Sequence, residues 1–279
     1  MSEFKKPLFT FITFLLISMS GLSQTTALMS YNIRYDNTWD TENNWQNRKT
    51  GVIKLINDYK PTILGIQEGL YNQVKYIDSC LVDYKYVGVG RDGFTKGEYS
   101  ALFYDTTKYK LIVSSTFWLS ETPELISIGW DAALKRICTY GLFENQITKE
   151  KMWIFNTHFD HIGEVARENS AQLILNKIHQ LNTQDYPVVL MGDFNLSPNE
   201  KPILELSQQL EDAQLISIEK NRGPAGTFNG FTAVSDKKID YFFTKKLVVL
   251  SYQHLNDKLK SGKPISDHLA VLISVKPER

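Results

Sequence analysis

Apolar residues in this chain recur in short blocks separated by polar turns from residue 27 to residue 275. The blocks are ALMSYNI, TILGIQE, KYVGVG, SALFYD, KLIVSSTFWL, RICTYGLF, KMWIFNTHF, PVVLMGDF, KIDYFF, LVVLSYQHL and LAVLISV. They are rich in β-branched and aromatic residues and too short for helices, so each predicts a strand. A period near 3.6 appears in NRKTGVIKLINDY, where Val52, Ile53, Ile56 and Tyr59 share a face, and in GEVARENSAQLILNKIHQL. So many strands with so few helices exceed what one doubly wound sheet carries. The pattern predicts two packed sheets flanked by helices. No repeat, low-complexity tract or Pro/Gly/Ser linker interrupts it, so residues 24–279 read as one domain.

The first residues follow a different pattern. Lys5 and Lys6 precede an apolar run from Leu8 to Ile17, and small residues end at Gly21-Leu22-Ser23. This is the three-part arrangement of a secretory signal, with residues 1–23 as the cleaved segment. The run is shorter than the ~18 residues that span a bilayer, and no cysteine follows it as a lipid acceptor. A periplasmic or extracellular protein is expected. Removing residues 1–23 turns 31 basic and 31 acidic residues into 29 and 30. Near-neutrality excludes a protein that coats nucleic acid by charge alone. Two cysteines, Cys80 and Cys138, are too few for a disulfide-held fold, and leave open one bridge or two buried thiols.

Polar residues fall repeatedly where the strand blocks end or begin. SYNIR carries Asn32, GIQEG carries Glu68, and FNTHFDH carries Asn156, His158, Asp160 and His161. MGDFN carries Asp193 and Asn195, KIDYFF carries Asp240, and ISDHLAV carries Asp267 and His268. One such group has an ordinary explanation as a cap or a paired core residue. Six strand ends bearing carboxylates, amides and imidazoles predict one shared polar site at an edge of the sheets, since each would cost free energy buried alone. Oxygen donors without paired cysteines suit Mg²⁺ or Mn²⁺ and a phosphate substrate; His158, His161 and His268 keep zinc open. No G-x-S-x-G elbow supplies a serine nucleophile. A glycosidase pair of Glu68 and Asp193 would leave the histidines and asparagines without work.

The ordered set SYNIR, IQE, NTHFDH, GDFN, IDYFF and SDHLAV resembles the endonuclease/exonuclease/phosphatase superfamily with the DNase-I-like fold. The resemblance implies a four-layer α/β/β/α sandwich of two mostly antiparallel sheets packed face to face. It implies hydrolysis of a phosphoester by in-line attack of water. Glu68, Asn32 and Asp267 match metal-site positions; Asp193 matches the residue that activates the water. Asn195, His158 and His268 match phosphate-contacting positions, and Asp240 a supporting carboxylate.

Arg136, Asp160, His161, Arg167 and Tyr99 are further candidates for the substrate pocket; Asp160 serves equally as a cap for the next helix. Trp39 and Trp45, ahead of Arg48, are candidate pocket walls or ordinary packing. Superfamily members cleave DNA, RNA tails, phospholipid headgroups and phosphoinositides, and the fold does not choose among them. With no Lys/Arg cluster interleaved with aromatics, the expectation is a monomeric phosphodiesterase acting on a small or lipid-like ester. Nuclease and phosphomonoesterase activity are the alternatives, and a catalytically silent binding protein is the alternative of another class.

Overall fold

Period-two alternation decides the layers. A computed structural model of the protein describes Met1, residues 25–232 and residues 236–278; the expected signal segment lies outside the described residues. The elements run β1 (Thr26–Asn32), a 3₁₀ turn (Thr38–Asn43), α1 (Trp45–Tyr59), β2 (Ile63–Gln67), α2 (Tyr71–Cys80), β3 (Tyr84–Val87), β4 (Leu102–Asp105), β5 (Tyr109–Trp118) and β6 (Ile137–Asn145). They continue with β7 (Lys151–His158), α3 (Glu164–Leu181), β8 (Val188–Asp193), α4 (Lys201–Gln209), β9 (Glu211–Asp212), α5 (Ala213–Ile216), β10 (Asp240–Lys245), β11 (Leu247–Leu255) and β12 (Ala270–Pro277). All eleven expected strands are present, and β9 is added.

Two six-stranded sheets form, in the orders β11-β12-β1-β2-β4-β3 and β5-β6-β7-β8-β10-β9. Each contains one parallel pair, β1 with β2 and β7 with β8, in otherwise antiparallel surroundings. One set of alternate residues, including Leu28, Ile63, Ile154, Val189, Met191, Phe242, Val271 and Ile273, fills the space between the sheets. The other set faces helices. Met29, Tyr31, Leu64 and Ile66 meet Val52, Leu55 and Ile56 of α1 and Val74 and Ile77 of α2. Trp153, Phe155, Leu190 and Phe243 meet Ala171 and Ile174 of α3 and Ile203 and Leu206 of α4. The result is the expected sandwich of helices, sheet, sheet and helices.

The same alternation carries the inter-sheet face out of the apolar core and into the polar edge. Along β1 the face runs Leu28, Ser30, Asn32; along β7, Ile154, Asn156, His158; along β8, Val189, Met191, Asp193. Register then aligns them. His158 is the partner of Asp193 across the parallel pair, and Asp240 is the partner of Asp193 across the antiparallel one. Asn32 is paired with Gln67, next to Glu68. Beneath this edge, Gln67 Nε2 donates to Asn156 Oδ1 at 2.7 Å, and Asn156 Nδ2 donates to the carbonyls of Ile66 and Ala101, both at 2.9 Å. Gly65 permits this contact between sheets, because a Cβ there would lie 2.8 Å from the Asn156 amide. Cys80 and Cys138 are both free thiols, Cys138 buried.

Candidate active site

Asp193 is the hub of the edge. Its Oδ2 accepts from Asn32 Nδ2 at 2.9 Å and lies 3.5 Å from His158 Nε2 and 3.6 Å from His268 Nε2. Its Oδ1 accepts the backbone N–H of Asn195 at 2.9 Å. That bond requires the chain to turn sharply after β8, and Asn195 does so at φ 51°, a region asparagine tolerates. Burial, with the Asp240 carboxylate beside it, pushes Asp193 up to about 7.

The two histidines are driven to opposite states. Asp240 Oδ2 sits 2.9 Å from His268 Nδ1. Burial alone would neutralise His268, but Asp240 and Asp193 overrule it and hold the imidazole charged, well above its ordinary range. The His268 ring also packs in a T-shaped contact with Phe228, with ring centroids 5.1 Å apart. His158 is pushed well down by burial and then by Arg136, so it is neutral. Its Nε2 accepts from Asn195 Nδ2 at 3.1 Å. One charged donor and one neutral imidazole therefore flank Asp193.

Glu68 leaves β2 at φ 63°. Its Oε1 accepts from Asn32 Nδ2 at 3.0 Å and its Oε2 from the Tyr35 N–H at 3.1 Å. Asn32 thus faces the carboxylates with its amide nitrogen, while its Oδ1 accepts the Arg34 N–H at 3.0 Å. Arg34 lies across the gap, 4.0 Å from Glu68 and 3.7 Å from Asp267, and is anchored on Asp40 at 2.9 Å. Burial raises Asp267 above the ordinary carboxylate range. Ligand atoms of Glu68, His158 and Asp193 lie within 4.8 Å of one another, as do those of Asp193, Asp240 and His268. The second trio is committed to the Asp240–His268 ion pair. The first, with Asp267 nearby, is a carboxylate-rich set that fits a hard divalent cation; Arg34 lies beside Glu68 and Asp267, and His268 beside Asp193 and Asp240.

Arg48 holds the loops of this half together. It is fully buried and donates to the carbonyls of Asn43, Ile33, Ile265 and Arg34 at 2.6, 2.8, 3.1 and 3.1 Å. Trp45 packs beside it, whereas Trp39 is exposed; neither lines the cleft.

A cleft of about 820 Å³ opens over this edge, and Arg34, Glu68, His158, Asp193, Asn195, Asp267 and His268 line it with Arg136 and His161. Three expected pocket residues do not. Asp160 turns inward and accepts the N–H groups of Ala133, Leu134, Ile162 and Gly163 at 3.2, 3.2, 3.0 and 2.8 Å, which ties two loops together. Arg167 is buried and donates to the Asp160 carbonyl at 3.3 Å. Tyr99 is buried with its hydroxyl on the Phe94 carbonyl, reaching only a small recess behind Arg136. Asp131, from a separate loop, caps α3 by accepting from Val165 and Ala166 at 3.2 and 2.7 Å. Arg34, inside SYNIR, and Arg91 and Glu98, whose loop carries no motif, line the cleft in addition to the residues expected from the sequence.

A model described as the endonuclease/exonuclease/phosphatase family matches residues 29–268. The chain is 32% identical over 259 residues to an uncharacterised protein of Acanthamoeba polyphaga mimivirus, covering 82% of this chain and 91% of that one. A crystal structure of an endonuclease/exonuclease/phosphatase from Bacteroides vulgatus superposes with a TM-score of 0.87 at 36% identity, covering 91% of this chain and 100% of the other. A mannosyl-6-phosphatase of Bacteroides thetaiotaomicron superposes with a TM-score of 0.85 at 34% identity, covering 90% and 99%.

Proposed function

Because this chain belongs to the endonuclease/exonuclease/phosphatase family, we propose that it hydrolyses phosphate esters at this cleft with Mg²⁺ or Mn²⁺, and that its substrates are monoesters of small hydroxylated alcohols. The observation that carries the reading is Asp193, a buried carboxylate held between a charged and a neutral histidine at the cleft floor. The 34% identity to a mannosyl-6-phosphatase over 90% of the chain supports the monoester class.

In this reading Asp193 takes the proton of the attacking water, and its fixed hydrogen bonds from Asn32 and the Asn195 N–H aim the carboxylate. His268, charged by Asp240, donates to a phosphoryl oxygen as negative charge grows there. Asn195 and His158, paired with each other, form the adjoining wall that orients the phosphoryl group. Glu68 and Asp267 would hold the cation; Asn32, which turns its amide nitrogen rather than its oxygen to Glu68 and Asp193, would position those carboxylates instead of ligating as the sequence resemblance implies. A bound divalent ion supplies Lewis-acid stabilisation of the phosphoryl charge. No covalent enzyme intermediate is required. Residues 1–23 serve, in the same proposal, to export the protein.

The test is nitrophenol release from mono- and bis-nitrophenyl phosphate by residues 24–279, with Mg²⁺, Mn²⁺ or chelator, beside Asp193→Ala. Metal-dependent turnover of the monoester, lost in the variant, is expected. Preference for the diester would return the substrate to the phosphodiester class expected from the sequence. Metal binding with no turnover of these or of natural phosphoesters would make the protein a silent binder.

A further inference from the structure

One wall of the cleft carries buried charge that the hydrolytic steps do not use. Arg91 grips Glu98 with both terminal nitrogens, at 2.9 Å to Oε2 and 2.8 Å to Oε1. Arg136 stands beside them, 3.9 Å from Glu98 and 3.5 Å from Asp160, with its Nη2 3.2 Å from His161 Nδ1. Arg136 is only 6% exposed, and the Arg91 and Glu98 side chains 14% each. All three line the main cleft with His158, and all three border the small recess beside it.

The wall is rigid. Trp118 Nε1 donates to the Arg91 carbonyl at 2.7 Å, fixing the loop that carries it. Tyr99 bridges to both Gly90 and Gly69, which sets Glu98 against the turn that presents Glu68. Burying this many charged groups costs several kcal/mol each unless they are satisfied, so a wall serving only as packing would be better built of apolar residues.

Charge balance decides what it recognises. Arg91 and Arg136 are matched by Glu98 and Asp160, so the wall has no surplus positive charge for a second phosphate. It instead offers a carboxylate acceptor flanked by guanidinium donors, the pairing that adjacent hydroxyl groups satisfy by donating to one and accepting from the other. We propose that Arg91, Glu98 and Arg136 read the hydroxyl groups of the leaving alcohol and so select polyhydroxylated phosphoesters over those lacking hydroxyls. This inference rests on the phosphoester reading above.

The experiment compares kcat/KM for a hexose 6-phosphate with kcat/KM for nitrophenyl phosphate, in wild type, Glu98→Gln and Arg91→Lys. Both esters share the phosphoryl dianion, so their ratio isolates the alcohol. The ratio is expected to fall roughly 30-fold or more in each variant, as when a site built for a hydroxyl loses its partner. An unchanged ratio, whether both rates hold or both fall together, overturns the proposal. Calorimetric titration of hexose 6-phosphate into Asp193→Ala, with and without Glu98→Gln, gives a reading free of turnover. About tenfold weaker binding is expected from the loss of one charged hydrogen bond, and equal binding overturns the proposal. A wild-type protein that binds the sugar phosphate through Glu98 but turns over no ester would contradict the hydrolase reading and leave the wall standing.

Discussion

Replacing Asp160 by asparagine tests whether this residue is an anchor of the loops or a part of the pocket. Burial pushes the carboxyl up, but the N–H groups of Gly163, Ile162 and Ala133, followed by Arg136, win and hold it at about 2. The side chain is 1% exposed, so solvent screens these bonds little. Against an ordinary carboxyl near 3.8, the depressed value corresponds to about 2 kcal/mol of folding free energy. Because the folded value is the lower one, this stability is fully present above pH ~4 and is lost as pH falls towards ~2. Asparagine keeps the shape but loses the charge, and turns a donor towards N–H groups that require an acceptor. Urea unfolding at pH 7 should show Asp160→Asn about 2 kcal/mol less stable, with the gap narrowing as pH falls below ~4. A gap below ~0.5 kcal/mol, or one independent of pH, would refute the assignment.

Other outcomes follow from the same geometry. Asp240→Asn removes the charge that keeps His268 protonated, so kcat should fall about 100-fold at neutral pH. The alkaline limb of its pH profile should move to lower pH, because His268 then loses its proton earlier; an unmoved limb would contradict the pairing. Gly192→Ala would place a Cβ 2.0 Å from the Thr157 carbonyl oxygen, between β7 and β8. Thermal melting should show it destabilised by about 1–3 kcal/mol, with activity lost as Asp193 shifts. Arg48→Met would strip the partner from four carbonyls; a loss of about 3 kcal/mol is expected in chemical unfolding, and unchanged stability would remove its role as a tie between the loops.

Where an apolar strand ends in a polar group, local pattern and final structure agree on the element and on its polar end, because both faces of the strand are apolar and must be covered. The residues alternating with Leu28-Ser30-Asn32 and Val189-Met191-Asp193 are also apolar and buried against helices, so which set faces the other sheet, and delivers Asn32 and Asp193 to the site, is settled by how the two sheets pack. Helix α2 leaves no legible stripe because it buries only Gln73, Val74 and Ile77, and α4 none because Pro202, Ile203 and Leu206 form too short a one. β9 is two residues long and exists by pairing with β10. Asp160 was ambiguous for a different reason. Its direction is set jointly by the local N–H groups of Ile162 and Gly163 and by those of Ala133 and Leu134, and only the second pair are contacts that no local spacing encodes. Arg91 and Glu98 pair within one loop, but Arg136 reaches them only through the fold, and no pattern in either local sequence announces that meeting.

Under the proposed function, water activated at Asp193 attacks phosphorus. Release of inorganic phosphate from a hexose 6-phosphate in ¹⁸O-labelled water, with Mg²⁺ or Mn²⁺, tests it most directly. Metal-dependent release with the label in the phosphate is expected, abolished by chelator and by Asp193→Ala. Label appearing in the alcohol, or release that survives the loss of Asp193, would contradict it.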